Sequence, residues 1–248
     1  MFLAMDAPGG GISLLRAARV RARRRLGRLR WKGTEAFWEQ HYVAGGDSGS
    51  GSFGQLAHFK ADTLNRFILA NDVESVIEFG CGDGNQLSLA RYPRYVGLDV
   101  ASVAIDWCIR RFADDNTKSF IHYDPRRWCN RGAVTADLAI SLEVIFHLVE
   151  DDMYERYMQH LFEAAIRWVI VYASNTDQPD PEPYVRHHRF TDWVEANQPQ
   201  WQLVERIANP YPYDAAAPYE TSFSDFCVFA RTIGATVASR EPRKMNRS

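Results

Sequence analysis

Apolar residues recur along this chain with two different spacings. Short runs that are apolar almost throughout are typical of strands buried on both faces of a sheet. Residues 76–79 and 95–100 form such runs, and apolar stretches with more polar residues among them lie at 120–124, 136–143, 167–174, 201–207 and 226–231. Other segments repeat an apolar residue every three or four positions, as on the buried side of a helix, and these lie at 56–69, 102–112, 151–165 and 191–197. Strands that alternate with helices predict right-handed crossovers and a mostly parallel sheet covered on both faces.

The length of the chain suits one α/β domain with additions. Of 248 residues, 46% are hydrophobic, which is enough for one sizeable core. From the changes in composition we predict a basic amphipathic segment at 1–33, a helical cap with a Gly/Ser loop at 34–70, a core at 71–235 and a flexible tail at 236–248. No stretch approaches the roughly 18 apolar residues of a membrane-spanning helix, so we expect a cytoplasmic protein, soluble or peripheral at the inner face of the membrane.

The four cysteines lie far apart in the sequence. Cys81, Cys108, Cys129 and Cys227 form no C-x-x-C pair and no Cys/His ligand spacing. We therefore predict no metal site and a reducing compartment.

The charge of the chain is unevenly distributed. The net charge is only −2, yet nine basic residues and no acid lie between Arg16 and Lys32, interleaved with apolar residues. As a helix, this segment is of the kind that lies on an anionic membrane surface. A helix that packs on its own domain or on a partner subunit is the alternative, and nucleic acid is the less favoured partner because one basic segment is weak evidence for it.

The first apolar run leads directly into alternating glycines. Gly80, Gly82 and Gly84 follow the run, and Glu78 stands two residues before the first glycine. Glycines at such a turn leave the backbone open for a ligand to lie against it. A dinucleotide-binding fingerprint requires glycine at the sixth position, where this chain has Asn85. The turn therefore differs from that of NAD-binding proteins.

The pattern E-x-G-x-G-x-G resembles motif I of the class I S-adenosylmethionine-dependent methyltransferases. The resemblance continues through the later apolar stretches. It implies that 120–124 is the third strand, that 136–143 is the fourth and carries motif IV, that 167–174 is the fifth, and that 201–207 and 226–231 form a closing antiparallel pair. The fold it implies is a doubly wound, Rossmann-like sheet of seven mostly parallel strands with an N-terminal helical extension. An acid that ends the second strand can accept both ribose hydroxyls, and one that ends the third would lie near the adenine. The residues expected to bind S-adenosylmethionine, or the product S-adenosylhomocysteine, are Glu78, Gly80, Cys81, Gly82, Gly84, Asp99, Val100, Asp124 and Ser141.

A Gly/Ser-rich segment precedes the core. Residues 45–54 are mostly glycine and serine, and they follow the aromatic residues Trp38 and Tyr42. This combination looks like the N-terminal region of methyltransferases associated with bacterial glycan and polysaccharide biosynthesis. The resemblance implies that the loop closes the cofactor pocket and that Tyr42 helps to line the approach of the acceptor. A flexible linker, with the aromatic residues as anchors of a helix, is the alternative.

Two clusters are candidates for the chemistry of the acceptor. His147 follows the fourth strand, and an imidazole suits proton abstraction near neutral pH; Glu143 could polarise the acceptor or orient that histidine. The structural alternative for His147 is that it orders the loop, and the alternative for Glu143 is that it caps the next helix. The second cluster suits an anionic acceptor, unless it is merely solvated, and comprises Arg186, His187, His188 and Arg189. The Tyr- and Pro-rich residues 209–219 either wall the acceptor pocket or form a packed connection.

The function predicted is methyl transfer from S-adenosylmethionine. The acceptor expected from the resemblance is a small molecule or a glycan-linked substrate, methylated on a sugar hydroxyl. An NAD(P)-dependent oxidoreductase is the first alternative, but no Tyr-x-x-x-Lys set is present. A non-catalytic methyltransferase-like scaffold is the second alternative.

Overall fold

The computed structural model describes residues 32–232. The predicted basic segment, apart from its last two residues, and the predicted tail lie outside the described residues. Within 32–232, no helix combines the length and the apolar character needed to cross a membrane.

A single sheet of seven strands forms the centre of the fold. Its strand order is β3-β2-β1-β4-β5-β7-β6, with β7 antiparallel to both of its neighbours and all other pairs parallel. This is the seven-stranded, mostly parallel sheet that the sequence predicts. The strands are β1 Val76–Phe79, β2 Tyr95–Asp99, β3 Lys118–His122, β4 Ala136–Leu142, β5 Ala165–Ala173, β6 Trp201–Ile207 and β7 Asp225–Arg231.

Five α-helices surround the sheet in the described chain. They are α1 Thr34–Val43, α2 Gly54–Ala70, α3 Ser102–Arg111, α4 Asp151–Glu163 and α5 Phe190–Asn197. The predicted helical segments agree with them to within two residues. Ala165 was expected at the end of α4, but it belongs to the next strand. It starts β5 and pairs with Ala136 of β4, next to a bulge.

The third strand begins earlier than its apolar run predicts. It starts at Lys118 and ends at His122, because it is the edge strand and only partly buried, so polar residues belong to it. The prediction that Asp124 ends this strand is therefore wrong. Asp124 lies two residues beyond the strand and caps the following turn, where it accepts a hydrogen bond from Arg126 N at 2.9 Å.

The two faces of the sheet carry separate cores. One side packs Phe79, Phe162 and Phe229 beneath α4 and α5, and the other packs Leu64 and Tyr172 beneath α2. Burying such a side chain contributes about 1.5–3 kcal/mol. The strand order reverses between β1 and β4, so the cleft at their carboxyl ends is the point where ligands bind in open α/β sheets.

Candidate active site

A cavity of about 300 Å³ opens at the carboxyl ends of β1, β2 and β4. Four loops contribute much of its wall: the glycine turn after β1, the Gly/Ser loop between α1 and α2, the residues after β4, and the loop between β6 and β7. These segments are far apart in the sequence. The fold therefore brings together at one opening the loops that the sequence marks as chemically unusual.

The glycine turn has no room for side chains. Gly80 and Gly82 adopt the left-handed backbone region, with φ of 84° and 57°. A Cβ atom on Gly80 would lie 2.4 Å from Val144 Cγ2. A Cβ atom on Gly82 would lie 2.2 Å from Ser48 Oγ. Because these contacts are far shorter than van der Waals distances, both positions require glycine.

Two buried carboxyl groups lie beside this turn. Asp99, at the end of β2, accepts hydrogen bonds from Gly82 N and Ala101 N, each at 2.9 Å. Glu78 accepts one from the Tyr95 hydroxyl at 2.6 Å. Burial raises the pKa of Asp99 to about 6 and the pKa of Glu78 to about 7. Asp99 and Glu78 both line the cavity.

The Gly/Ser loop is fastened to the glycine turn. Ser48 N donates to Asp83 Oδ2 at 3.1 Å, and Asp83 N donates back to Ser48 Oγ at 2.9 Å. The same hydroxyl shares a hydrogen bond of 3.1 Å with the Tyr42 hydroxyl, and Asn85 Nδ2 donates to Ser52 O at 2.7 Å. Tyr42 is thus a buried part of the cavity wall beside the turn, and burial raises the pKa of its hydroxyl.

Glu143 joins several segments through its carboxylate. Its backbone is left-handed, with φ of 60°, which costs about 1 kcal/mol or more outside glycine. Lys60 Nζ donates to its Oε2 at 2.7 Å, and Ser222 Oγ donates to its Oε1 at 3.0 Å. The carboxylate also lies where a side chain on Gly51 would be. Helix α2, the Gly/Ser loop and the β6–β7 loop therefore converge on this one side chain.

His147 lies on the cavity wall in a short 3-10 turn after β4. Its Nδ1 is 3.0 Å from Tyr184 O, and a carbonyl only accepts, so Nδ1 carries the proton and Nε2 does not. The rings of Trp38 and Phe146 pack at centroid distances of 4.9 and 4.5 Å. Burial lowers the pKa of His147 to about 4, so the imidazole is neutral at physiological pH.

A sequence model of the methyltransferase domain matches residues 53–206. The chain belongs to the methyltransferase domain family. S-adenosylmethionine is the cofactor of this family, in agreement with the motif I resemblance and against the oxidoreductase alternative. No curated protein sequence matches the chain significantly.

Solved methyltransferase structures share the fold. The N-methyltransferase NodS from Bradyrhizobium japonicum, in complex with S-adenosyl-L-homocysteine, has a TM-score of 0.63 at 16% identity, over 81% of this chain and 99% of that one. The magnesium protoporphyrin IX methyltransferase ChlM from Synechocystis, with S-adenosylmethionine bound, has a TM-score of 0.58 at 15% identity, over 82% and 99%. At such identities the similarity is one of fold.

The cleft of this methyltransferase fits its cofactor. Asp99 at the end of β2 offers carboxylate oxygens to a ribose diol, and the glycine turn leaves backbone open beside it. Val100 and Cys81 also line this part of the cavity. Gly84 does not line it, and lies instead against Cys108 and Phe112.

Ser141 and Asp124, like Gly84, are expected at the cofactor but are not on the cavity wall. Ser141 is fully buried, and its hydroxyl lies 2.7 Å from the hydroxyl of Tyr157, which donates to Phe79 O. The neighbours of Asp124, Tyr123 and Pro125, line the cavity in its place.

The arginines expected at the acceptor are outside the cavity of the methyltransferase. Arg186 forms an ion pair with Asp151 at 2.6 Å, and Arg189 forms one with Asp177 at 3.2 Å. Arg186 lines a separate surface depression, together with acids that include Asp177, the partner of Arg189. Their charges are therefore already balanced by carboxylates.

The two neighbouring histidines are likewise held by the protein. His187 Nδ1 lies 2.6 Å from Ser174 Oγ, and its Nε2 lies 3.5 Å from Asp180 Oδ2. His188 stacks on Tyr154, with ring centroids 3.9 Å apart, and burial lowers its pKa. These contacts hold the segment between β5 and α5 in place.

The β6–β7 loop supplies an aromatic rim to the cavity. Phe223 packs against Phe146 and Tyr213, with centroid distances of 5.1 and 6.1 Å, and all three line the cavity. Tyr213 remains 55% exposed, so it stands at the mouth and not in the core. Of the two interpretations of residues 209–219, the wall of a pocket is the one that this geometry favours.

Lys60 and Ser222 are cavity residues that were not predicted from the sequence. Lys60 occupies an inward position of α2, four residues after Leu56 and four before Leu64, and only this break in the apolar stripe marks it in the sequence. Ser222 has no such signal. Within residues 32–232, no three His, Cys, Asp or Glu side chains are grouped to hold a metal ion.

Proposed function

We propose that this methyltransferase transfers a methyl group from S-adenosylmethionine to a hydroxyl of a sugar or glycan-linked acceptor. His147 is the general base in this proposal. The observation that carries it is a neutral imidazole on the cavity wall whose Nδ1–H is held by Tyr184 O, which leaves the Nε2 lone pair to accept a proton.

The protein has to supply only part of the chemistry of methyl transfer. The cofactor supplies a methyl group on a sulfonium, together with the leaving group. The residues of the cleft must align the acceptor oxygen and remove its proton. In the proposed step the oxygen gains the methyl group while its proton passes to His147 Nε2. The nearby Glu143 carboxylate favours the imidazolium that results, because its charge raises the pKa of His147.

The lining of the outer cavity supports a sugar as the acceptor. Trp38, Phe146 and Phe223 offer ring faces on which the apolar C–H side of a sugar can pack. Thr221 and Ser222 are polar residues of the same wall. A mostly apolar pocket with a few polar groups that fix orientation is the common form of a small-molecule site. Arg186, His187, His188 and Arg189 are not part of this proposed site.

From the predicted basic segment at 1–33, we also propose where in the cell the enzyme acts. Its nine basic residues would hold the enzyme at an anionic membrane surface, where lipid-linked glycans are presented. Co-sedimentation of the full chain with vesicles containing anionic lipid, compared with neutral vesicles, tests this part separately.

The acceptor proposal is tested with a panel of sugars, aminated sugars and lipid-linked sugars, measuring S-adenosylhomocysteine released. We expect turnover with a hydroxyl acceptor and a loss of about 10²–10⁴-fold in His147→Gln, since general bases contribute about that much. His58→Gln is the matched control, because His58 is exposed on α2 outside the cavity. A full rate in His147→Gln would remove the base assignment, and methylation of amines alone would remove the hydroxyl acceptor.

A further inference from the structure

Lys60 is a charged residue where the helix requires an apolar one. It lies on the same face of α2 as Leu56 and Leu64, and it is only 1% exposed. Burying an ammonium group is costly unless it is paired and hydrogen-bonded. An apolar residue would satisfy the packing of α2, so the charge at this position has another reason.

The hydrogen bonds of this ammonium are incomplete within the protein. A lysine ammonium has three N–H donors. Among residues 32–232, Lys60 Nζ donates one hydrogen bond, to Glu143 Oε2 at 2.7 Å. The ring of Tyr172, 5.6 Å away at its centroid, covers another side. Because Lys60 lines the cavity, the remaining donor capacity is available to a ligand there.

The position of Lys60 places this donor beside the glycine turn. Its partner Glu143 is followed directly by Val144, which packs on the backbone of Gly80. The positive charge of Lys60 also acts on Glu78, whose pKa it lowers against the larger effect of burial. Lys60 is therefore a cation among the acids at the inner end of the cavity.

A cation at this place suits the chemistry of the cofactor. S-adenosylmethionine has an adenosine end with a ribose diol, which suits the Asp99 carboxylate, and an amino-acid end with a carboxylate and an ammonium group. Among the cavity-lining residues of the described chain, Lys60 is the one positively charged side chain, since His147 is neutral. The paired acid Glu143 is complementary to the ammonium group.

We propose that Lys60 binds the carboxylate of the amino-acid end of S-adenosylmethionine, with Glu143 as the acid that balances its charge. The inference rests on the cofactor and not on the acceptor named above. It makes Lys60 a determinant of cofactor specificity, because it distinguishes ligands that carry the amino-acid end from nucleosides that lack it.

Two ligands that share the adenosine half test the proposal. S-adenosylhomocysteine carries the amino-acid end, and 5′-methylthioadenosine lacks it. Calorimetric titration of Lys60→Gln should show S-adenosylhomocysteine binding weakened about ten- to hundredfold, as for loss of a charge-assisted hydrogen bond. Binding of 5′-methylthioadenosine should stay within about twofold of wild type, since only contacts to the adenosine half remain.

The design includes controls for folding and for general charge. Glutamine keeps an N–H donor for Glu143 but leaves its carboxylate without the balancing cation. Lys60→Gln/Glu143→Gln removes both charges together and controls for that unbalanced charge. Lys118→Gln, on the edge strand and paired with Asp115, should leave both affinities unchanged. Unchanged S-adenosylhomocysteine binding in both Lys60 variants, or equal weakening of the two ligands, overturns the inference.

These titrations contain no acceptor. If the ligand pattern is as expected but no hydroxyl is methylated, only the acceptor proposal fails. If wild-type protein binds the two ligands equally, the assignment of Lys60 fails whatever the acceptor is.

Discussion

Ser48 and Asp83 hold each other by two hydrogen bonds, Ser48 N to Asp83 Oδ2 at 3.1 Å and Asp83 N to Ser48 Oγ at 2.9 Å. They stand 35 residues apart in the sequence, and the pair closes the Gly/Ser loop over the glycine turn. A loop rich in glycine and serine is flexible as a free chain. These contacts give it a defined place in the wall of the cleft.

Replacing Ser48 with alanine should therefore loosen this closure. The Asp83 N–H and the Tyr42 hydroxyl would lose their partner, at a cost of about 1–3 kcal/mol for buried groups. Urea unfolding measures the loss. Ser50→Ala in the same loop is the control, because the Ser50 hydroxyl makes no hydrogen bond among the described residues. Equal stability of the two variants would show that the Ser48 contacts do not hold the loop.

Gly82 and Gly132 distinguish two reasons why a position requires glycine, a left-handed backbone and a lack of space for a side chain. Both are left-handed, with φ of 57° and 78°, but a Cβ on Gly82 would meet Ser48 Oγ at 2.2 Å, whereas one on Gly132 would meet nothing within 4 Å. Gly132→Ala should cost only the backbone penalty of about 1–2 kcal/mol and leave S-adenosylhomocysteine binding intact. Gly82→Ala should also displace the loop and abolish that binding. Similar affinities in the two variants, measured by calorimetry, would contradict a packed turn.

Glu78 should make the stability of the protein depend on pH. Burial raises its pKa in the folded state to about 7, whereas an unfolded glutamate titrates near about 4.3. The folded state therefore binds more protons between these values, so the contribution of Glu78 is present below pH about 4 and lost as the pH rises through about 7.

Glu78→Gln isolates this contribution. The amide keeps an acceptor for the Tyr95 hydroxyl but does not titrate. From pH 5 to pH 8, the free energy of unfolding of the wild type should fall relative to the variant by about 1–3 kcal/mol. Parallel pH profiles from urea unfolding would mean that Glu78 is already ionised at pH 5.

Asp99 and Asp124 test which strand-end acid serves the cofactor. Asp99 lines the cavity, whereas Asp124 accepts a hydrogen bond from Arg126 N in a turn beyond β3. Asp99→Asn should weaken S-adenosylhomocysteine binding at least about tenfold, since hydrogen bonds to charged groups are worth about 1.5–3 kcal/mol. Asp124→Asn should bind as the wild type does. The reverse order of affinities would restore Asp124 to the cofactor site.

The sequence predicts the centre of this fold better than its edges and its ion pairs. β1 and β4 are buried on both faces, and so is β5 from Val169 onward, so their apolar runs are unambiguous. β3 begins with Lys118 and Ser119 because an edge strand is partly exposed, and its start was misplaced for that reason. The glycine turn is recognisable because its conformation excludes other residues.

Charge pairing between distant segments is what the sequence does not reveal. Arg186 and Arg189 appear as free cations in the sequence, but Asp151 and Asp177 balance them in the fold. Lys60 appears as one polar residue in an apolar helix, and only the fold brings it to Glu143, 83 residues away. Such pairs depend on which loops meet at the end of the sheet.

The most direct test of the account is a calorimetric titration of the full chain with S-adenosylhomocysteine, with NAD⁺ as the control ligand. We expect saturable one-to-one binding of S-adenosylhomocysteine, with a dissociation constant on the order of micromolar, and no binding of NAD⁺. Absence of S-adenosylhomocysteine binding by folded protein would contradict it, because the cleft would then not be a working cofactor site, and the scaffold alternative would take its place.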